Sequence, residues 1–174
     1  MIDASVTPRL PPDIVWRAYL PGRDAAPLAA LFRAAVTTLA AARYDAAQRA
    51  AWVSSADDLA AFDARLARGT TLVAVHASAS VAFGQLFPAD HVEMLYVAPD
   101  WARRGLASAL LGRLEAVARG QGANVLSAQA SALARPVFER AGFSLVSPQV
   151  VSRGGVSLPR FQMAKPLFAA KRSG

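Results

Sequence analysis

The sequence predicts one mixed α/β domain, and three observations carry that reading. At 174 residues the chain suits a single compact domain. Apolar residues make up 54% and charged residues 18% of it, enough to bury a core. Segments with apolar residues at three- and four-residue steps are interspersed with short runs rich in β-branched and aromatic residues. The order is strand, three helices, three strands, helix, strand, helix, two strands. Residues 1–12 read as an N-terminal tail, 13–168 as the domain and 169–174 as a C-terminal tail.

The first strand is expected near Ile14–Tyr19, broken by Pro21, Gly22 and Asp24. From Ala25 to Ala42, Leu28, Leu31, Phe32, Val36 and Leu39 share one helical face. Further helices are expected over Ala46–Val53 and Asp57–Ala67, the last closed by Gly69 as C-cap. Thr71–His76 and Val81–Phe87 flank a small-residue turn and read as a hairpin; Val92–Ala98 is a third strand, stopped by Pro99 and Asp100. A long amphipathic helix then runs to about Arg119. It is followed by a strand at Val125–Ala128, a helix at Leu133–Ala141, and strands near Phe143–Val151 and Val156–Met163.

Composition excludes several chemistries. With no cysteine, thiolate catalysis, disulfides and thiolate zinc sites are ruled out. His76 and His91 lie 15 residues apart with no carboxylate at ligand spacing, so no metal is expected. The net charge of +7 is almost all arginine, since Lys165 and Lys171 are the only lysines. Without Lys/Arg runs, nucleic acid is an unlikely partner. No apolar run is expected to reach the roughly 20 residues of a membrane span, and MIDASVTPRLPPD lacks a signal peptide's apolar centre, so the expected location is cytoplasmic.

The segment LYVAPDWARRGLASALLGRLEAVAR, residues 95–119, passes from a strand through an Arg-Gly turn into a helix. A helix N-terminus offers unpaired N–H groups and partial positive charge, which suits phosphate. Gly105 and Ala107 let a ligand approach the backbone, and Arg103 and Arg104 can add charge-assisted bonds. Walker and dinucleotide glycine patterns are absent. An ordinary strand-to-helix turn with surface arginines would look similar.

Tyr96, Val97, Gly105 and Ala107 resemble motif A of the GNAT acetyltransferase superfamily, with Ala102 in place of its leading Gln/Arg. ARPVFERAGF at 134–143 resembles motif B. YDAAQRAAW at 44–52, HVEMLYVAP at 91–99 and GVSLPRFQMAKPL at 155–167 bring the resemblance closest to the YafP-like branch. The resemblance implies a central twisted, mostly antiparallel sheet of six to seven strands, splayed at the cofactor site, with helices on both faces. It also implies acetyl coenzyme A as cofactor, with Leu95, Tyr96, Val97, Arg103, Arg104, Gly105, Leu106, Ala107, Ser108, Ser131, Arg135 and Phe138 at its site, and the Val97 N–H toward the thioester carbonyl.

Acetyl transfer to an amine needs a base for the ammonium proton and an acid for the departing thiolate. Glu93 is the first candidate base and His91 the second, because an imidazole titrates near neutrality. Strand alternation would put Glu93, Leu95 and Val97 on one face and Val92, Met94 and Tyr96 on the other. Phe138 stands where many relatives carry tyrosine, so the acid falls to Tyr96, to Tyr44 or to water. Ser131 replaces the Asn that often opens motif B and can reach the cofactor or cap the next helix. Tyr44, Trp52 and Phe87 are expected to line the acceptor side, by cation–π contact or as plain packing, with Gln129 there too, where members of the branch often carry Asp.

The expected function is thus N-acetylation of a small-molecule or amino-acid-like amine, with a homodimer left open. The alternative is a catalytically silent acyl coenzyme A sensor or interaction module, motivated by Phe138.

Overall fold

The computed structural model describes residues 9–168, so residues 1–8 of the expected 1–12 tail and the whole expected tail at 169–174 lie outside the described residues. Within the expected N-terminal tail, Leu10 packs against the buried cluster of Ala74, Val81, Ala82, Leu106 and Leu110 rather than standing free.

Seven strands form one sheet in the order β1-β2-β3-β4-β5-β7-β6. They are β1 (Val15–Ala18), β2 (Thr70–His76), β3 (Ala79–Leu86), β4 (His91–Val97), β5 (Val125–Ala130), β6 (Ser144–Arg153) and β7 (Val156–Pro166). The helices are α1 (Ala25–Leu39), α2 (Ala46–Val53), α3 (Leu59–Leu66), α4 (Leu106–Gly120) and α5 (Arg135–Arg140). All neighbouring strands pair antiparallel except β4 and β5. That parallel pair is short: only His91 with Ser127 and Val92 with Ala128 are in register before the strands part.

Local chemistry explains most boundaries. Asp45 caps α2 in a reciprocal box with Gln48, and the Asp58 carboxylate accepts from the Ala61 N–H to start α3. Gly69 is not the α3 cap, a role held by Ala67. It serves the turn into β2, at φ +62°, where any Cβ would lie 2.1 Å from the Leu86 carbonyl oxygen. The β2–β3 turn is made by Ala77 and Ser78, both at positive φ.

Helices cover both faces of the sheet. Leu28, Leu31 and Phe32 of α1 and Phe62 and Leu66 of α3 pack on Val73, Phe83 and Met94. On the other face Leu110, Leu111 and Leu114 of α4 lie over Ala82, Leu126 and Ala128. Contrary to the sequence expectation, α1 with the following 3-10 turn, Ala25–Ala42, is long and apolar enough to cross a membrane by length and composition. Its Leu28–Val36 face is spent on this core.

Candidate functional site

The site grows from an irregularity in β4. Gln85 of β3 pairs with Met94 but Leu86 pairs with Val92, so Glu93 is an extra residue in β4, a β-bulge. The bulge corrects the simple alternation expected for this strand. Val92 joins the α4 side of the core, with Leu95 and Val97, while Met94 and Tyr96 pack with α1 and α3. Glu93 is thereby brought toward α3, where Arg65 Nη2 lies 4.0 Å from its Oε1.

Beside this bulge, below the divergence of β4 and β5, lies a cavity of about 130 Å³. Tyr44, Trp52 and Tyr96 supply aromatic walls, His91, Glu93, Gln129 and Ser131 supply polar groups, and Arg65, Arg153 and Arg160 supply positive charge. A smaller space of about 50 Å³ continues from it between β4 and β5. Leu95, Ala130, Ala134 and Phe138 line that part. Trp52, Glu93, Tyr96, Gln129 and Ser131 border both.

His91 and Glu93 meet in the cavity, with Nε2 3.7 Å from Glu93 Oε2. The other ring nitrogen, Nδ1, is 2.8 Å from Ser127 Oγ, and that hydroxyl donates to the Asp90 carbonyl. Because the hydroxyl proton is committed to Asp90, Nδ1 is the donor and Nε2 carries the lone pair. Burial pushes the His91 pKa down, opposed by the charges of Glu93 and Asp90 and aided by Arg160. Neutral imidazole is favoured.

Tyr96 is wedged against Phe32, at 4.8 Å between ring centroids, and Phe83, at 5.5 Å. Its hydroxyl accepts from Trp52 Nε1 at 3.2 Å, and its own proton has no acceptor among the described residues. Desolvation pushes its pKa up to about 12, so the phenol holds its proton at neutral pH. Tyr44 differs. Its hydroxyl donates to the Pro159 carbonyl at 2.8 Å and accepts from the Ala132 N–H at 2.9 Å, so it ties β7 to the loop before α5. The Tyr44 proton is spent on structure.

The turn before α4 has the expected form. Gly105 is its N-cap at φ +82°, with no side-chain cap, leaving the first N–H groups of Leu106, Ala107 and Ser108 uncapped. The Leu106 side chain itself is buried, so only its backbone faces the turn. Arg103 is exposed at φ +60°, and Arg104 stacks over Trp101 at 4.9 Å.

One residue expected on the acceptor side lies elsewhere. Phe87 lines neither cavity; its ring lies under the Arg68 guanidinium at 4.4 Å, at the far end of β3. Arg135 is committed to Glu139 at 2.6 Å and to the Phe161 ring at 4.8 Å. Phe138 is 3% exposed, edge-on to Phe143 at 5.0 Å on the core side of α5, with one edge in the smaller space. Ser131 accepts from the Ala134 N–H at 3.1 Å, the capping alternative. Sequence reading missed Arg65, Arg153 and Arg160, because only the packing of α3 and the β6–β7 hairpin around β4 brings them to one cavity. It also missed Ser127, whose tell was its parallel register with His91.

A profile described as an acetyltransferase (GNAT) domain matches residues 39–165. The chain belongs to the GNAT acetyltransferase family. It is 36% identical over 147 residues to the uncharacterized N-acetyltransferase YafP of Escherichia coli K12, covering 84% of this chain and 92% of that protein. A GCN5-related N-acetyltransferase structure from Rhodopseudomonas palustris superposes with a TM-score of 0.85 at 38% identity, over 88% of this chain and 96% of that one. The structure of yncA from Salmonella typhimurium with its cofactor acetyl-CoA gives 0.64 at 25% identity, over 91% and 96%. The GNAT acetyltransferase is thus an acyltransferase, and the splayed β4–β5 cleft and the glycine turn before α4 fall at the centre of its fold.

Proposed function

We propose that this GNAT enzyme N-acetylates a small-molecule or amino-acid-like amine by direct transfer, with the acceptor amine held in the cavity beside Glu93 and His91. The observation that carries this reading is the pair of acceptor atoms, Glu93 Oε2 and His91 Nε2, 3.7 Å apart in a cavity that runs into the β4–β5 cleft. Two acceptors at that spacing with no donor between them can share one ammonium, each at ordinary hydrogen-bond length.

The acetyl group comes from acetyl coenzyme A, whose thioester supplies an activated acyl carbon and a thiolate leaving group. The residues present fit that cosubstrate. Where β4 and β5 part, the backbone of Leu95, Tyr96 and Val97 has no β5 partner to pair with, which leaves an edge for a pantetheine-like arm. The uncapped N–H groups of Leu106, Ala107 and Ser108, with Arg103 and Arg104 beside them, would hold its phosphates.

Glu93 takes the ammonium proton, directly or through one water, with His91 Nε2 as the adjoining acceptor. Arg65 holds the carboxylate toward the cavity. The Tyr96 hydroxyl, bordering both spaces and oriented by the Trp52 indole, offers its proton to the leaving group. This replaces the hydroxyl that Phe138 cannot provide. Amine-dependent release of free thiol from acetyl coenzyme A tests the reading.

A further inference from the structure

Arg65, Arg153 and Arg160 line the acceptor cavity together with a single carboxylate, that of Glu93. Arg65 is matched to Glu93. Among the described residues, Arg153 and Arg160 make no ion pair and stack on no ring; Arg23, Arg43, Arg103 and Arg140 share that lack but lie exposed outside the cavity, whereas Arg153 and Arg160 line it. The one side-chain bond between them runs from Arg160 Nε to Gln149 Oε1 at 3.2 Å, leaving both Nη atoms uncommitted. A cavity wall with a surplus of two positive charges and no protein anion to meet them is a recognition surface for an anion.

The placement is built. Arg153 ends β6 directly before the Gly154–Gly155 turn, and Arg160 pairs with Gln149 across the hairpin. Gln48 Nε2 donates to the Ser157 carbonyl at 3.0 Å and Tyr44 to that of Pro159, so the hairpin is tied against α2 and lines one side of the cavity. The positive field of Arg160 reaches His91 and that of Arg153 reaches Tyr96.

The geometry points to an acceptor that carries its own anion: an amine with a carboxylate, its ammonium at Glu93 and His91 and its carboxylate on Arg153 and Arg160. This rests on the acetyl-transfer reading above. Polycationic amines would meet two unscreened arginines and are disfavoured.

The test uses the whole chain with acetyl coenzyme A and matched acceptors: free amino acids, their carboxamides, and aminoalkyl phosphonates. Free acids should exceed their carboxamides at least about tenfold in kcat/KM, and the ratio should collapse to within about threefold in the Arg153→Gln/Arg160→Gln variant. Preference for phosphonates over carboxylates would overturn the carboxylate assignment, and carboxamides or polyamines matching the acids in the parent would overturn the proposal. A second arm needs no turnover: calorimetric titration of N-acetyl amino acids and their carboxamides into the coenzyme A complex. Selective binding of the acids that is lost in the variant supports the anion site even if no amine is acetylated, in which case the transfer reading alone fails. Binding of neither series, with no turnover, overturns the anion site.

Discussion

His91 Nε2 lies 3.7 Å from Glu93 Oε2, too far for a hydrogen bond and close enough for one ammonium to touch both. The arrangement requires an unprotonated imidazole. Burial depresses the His91 pKa in the folded chain, so the ring stays neutral to a pH below the ordinary histidine value of about 6.5. The sign for stability follows. Between the depressed folded value and about 6.5 the unfolded chain binds the proton first, so the contribution is present above about 6.5 and is lost as pH falls through the folded value. We predict that the melting temperature falls on acidification below about pH 6.5 and that His91→Gln loses less over the same interval. Parallel melting curves for the two proteins would contradict this.

Tyr96→Phe removes the phenol proton but keeps the ring between Phe32 and Phe83. Turnover should fall at least about tenfold, a smaller loss than a general acid usually gives because water can substitute. The fall in kcat should outweigh any change in the acetyl coenzyme A dissociation constant. An unchanged kcat would assign thiolate protonation to solvent.

Gly105 adopts φ +82°, a region hostile to β-branched residues, at the mouth of the uncapped α4 N-terminus. Gly105→Val should raise the acetyl coenzyme A dissociation constant at least about tenfold, equivalent to about 1.4 kcal/mol. Titration showing parental affinity in a folded variant would move the phosphate site elsewhere.

The Tyr44 hydroxyl bridges the Pro159 carbonyl and the Ala132 N–H in a buried position. Tyr44→Phe leaves both partners unsatisfied and should cost about 1–3 kcal/mol, read as a melting temperature lower by several degrees. The loss should also loosen the hairpin wall and raise KM for the acceptor more than it changes kcat.

Much of the fold was legible because its signals are local. The change from helical spacing in Leu28–Leu39 to alternation in Thr71–His76 separates α1 from β2, whereas the Asp45 and Asp58 caps emerge only in the structure. The Gly105 turn was equally readable, since its positive φ is a property of residue type. What the sequence hid depends on pairing across the sheet. The Glu93 bulge exists only because Leu86 pairs with Val92 and Gln85 with Met94, and it reverses the face assigned to Val92. Arg65, Arg153 and Arg160 sit on three separate stretches of chain that converge only in the folded sheet. Phe87 was misplaced because an aromatic near a strand end says nothing of which neighbour, here Arg68, covers it.

Glu93 is proposed to serve an acetyl transfer whose acceptor lies in the adjoining cavity. The most direct measurement is the initial rate of free-thiol release from acetyl coenzyme A across a panel of amines, for the parent and Glu93→Gln, with the acetyl coenzyme A dissociation constant measured for both. Saturable, amine-dependent release is expected in the parent, with a fall of about 100-fold or more in kcat for Glu93→Gln and dissociation constants within about threefold of each other. Tight acetyl coenzyme A binding with no amine-dependent release, or equal turnover in the two proteins, would contradict it.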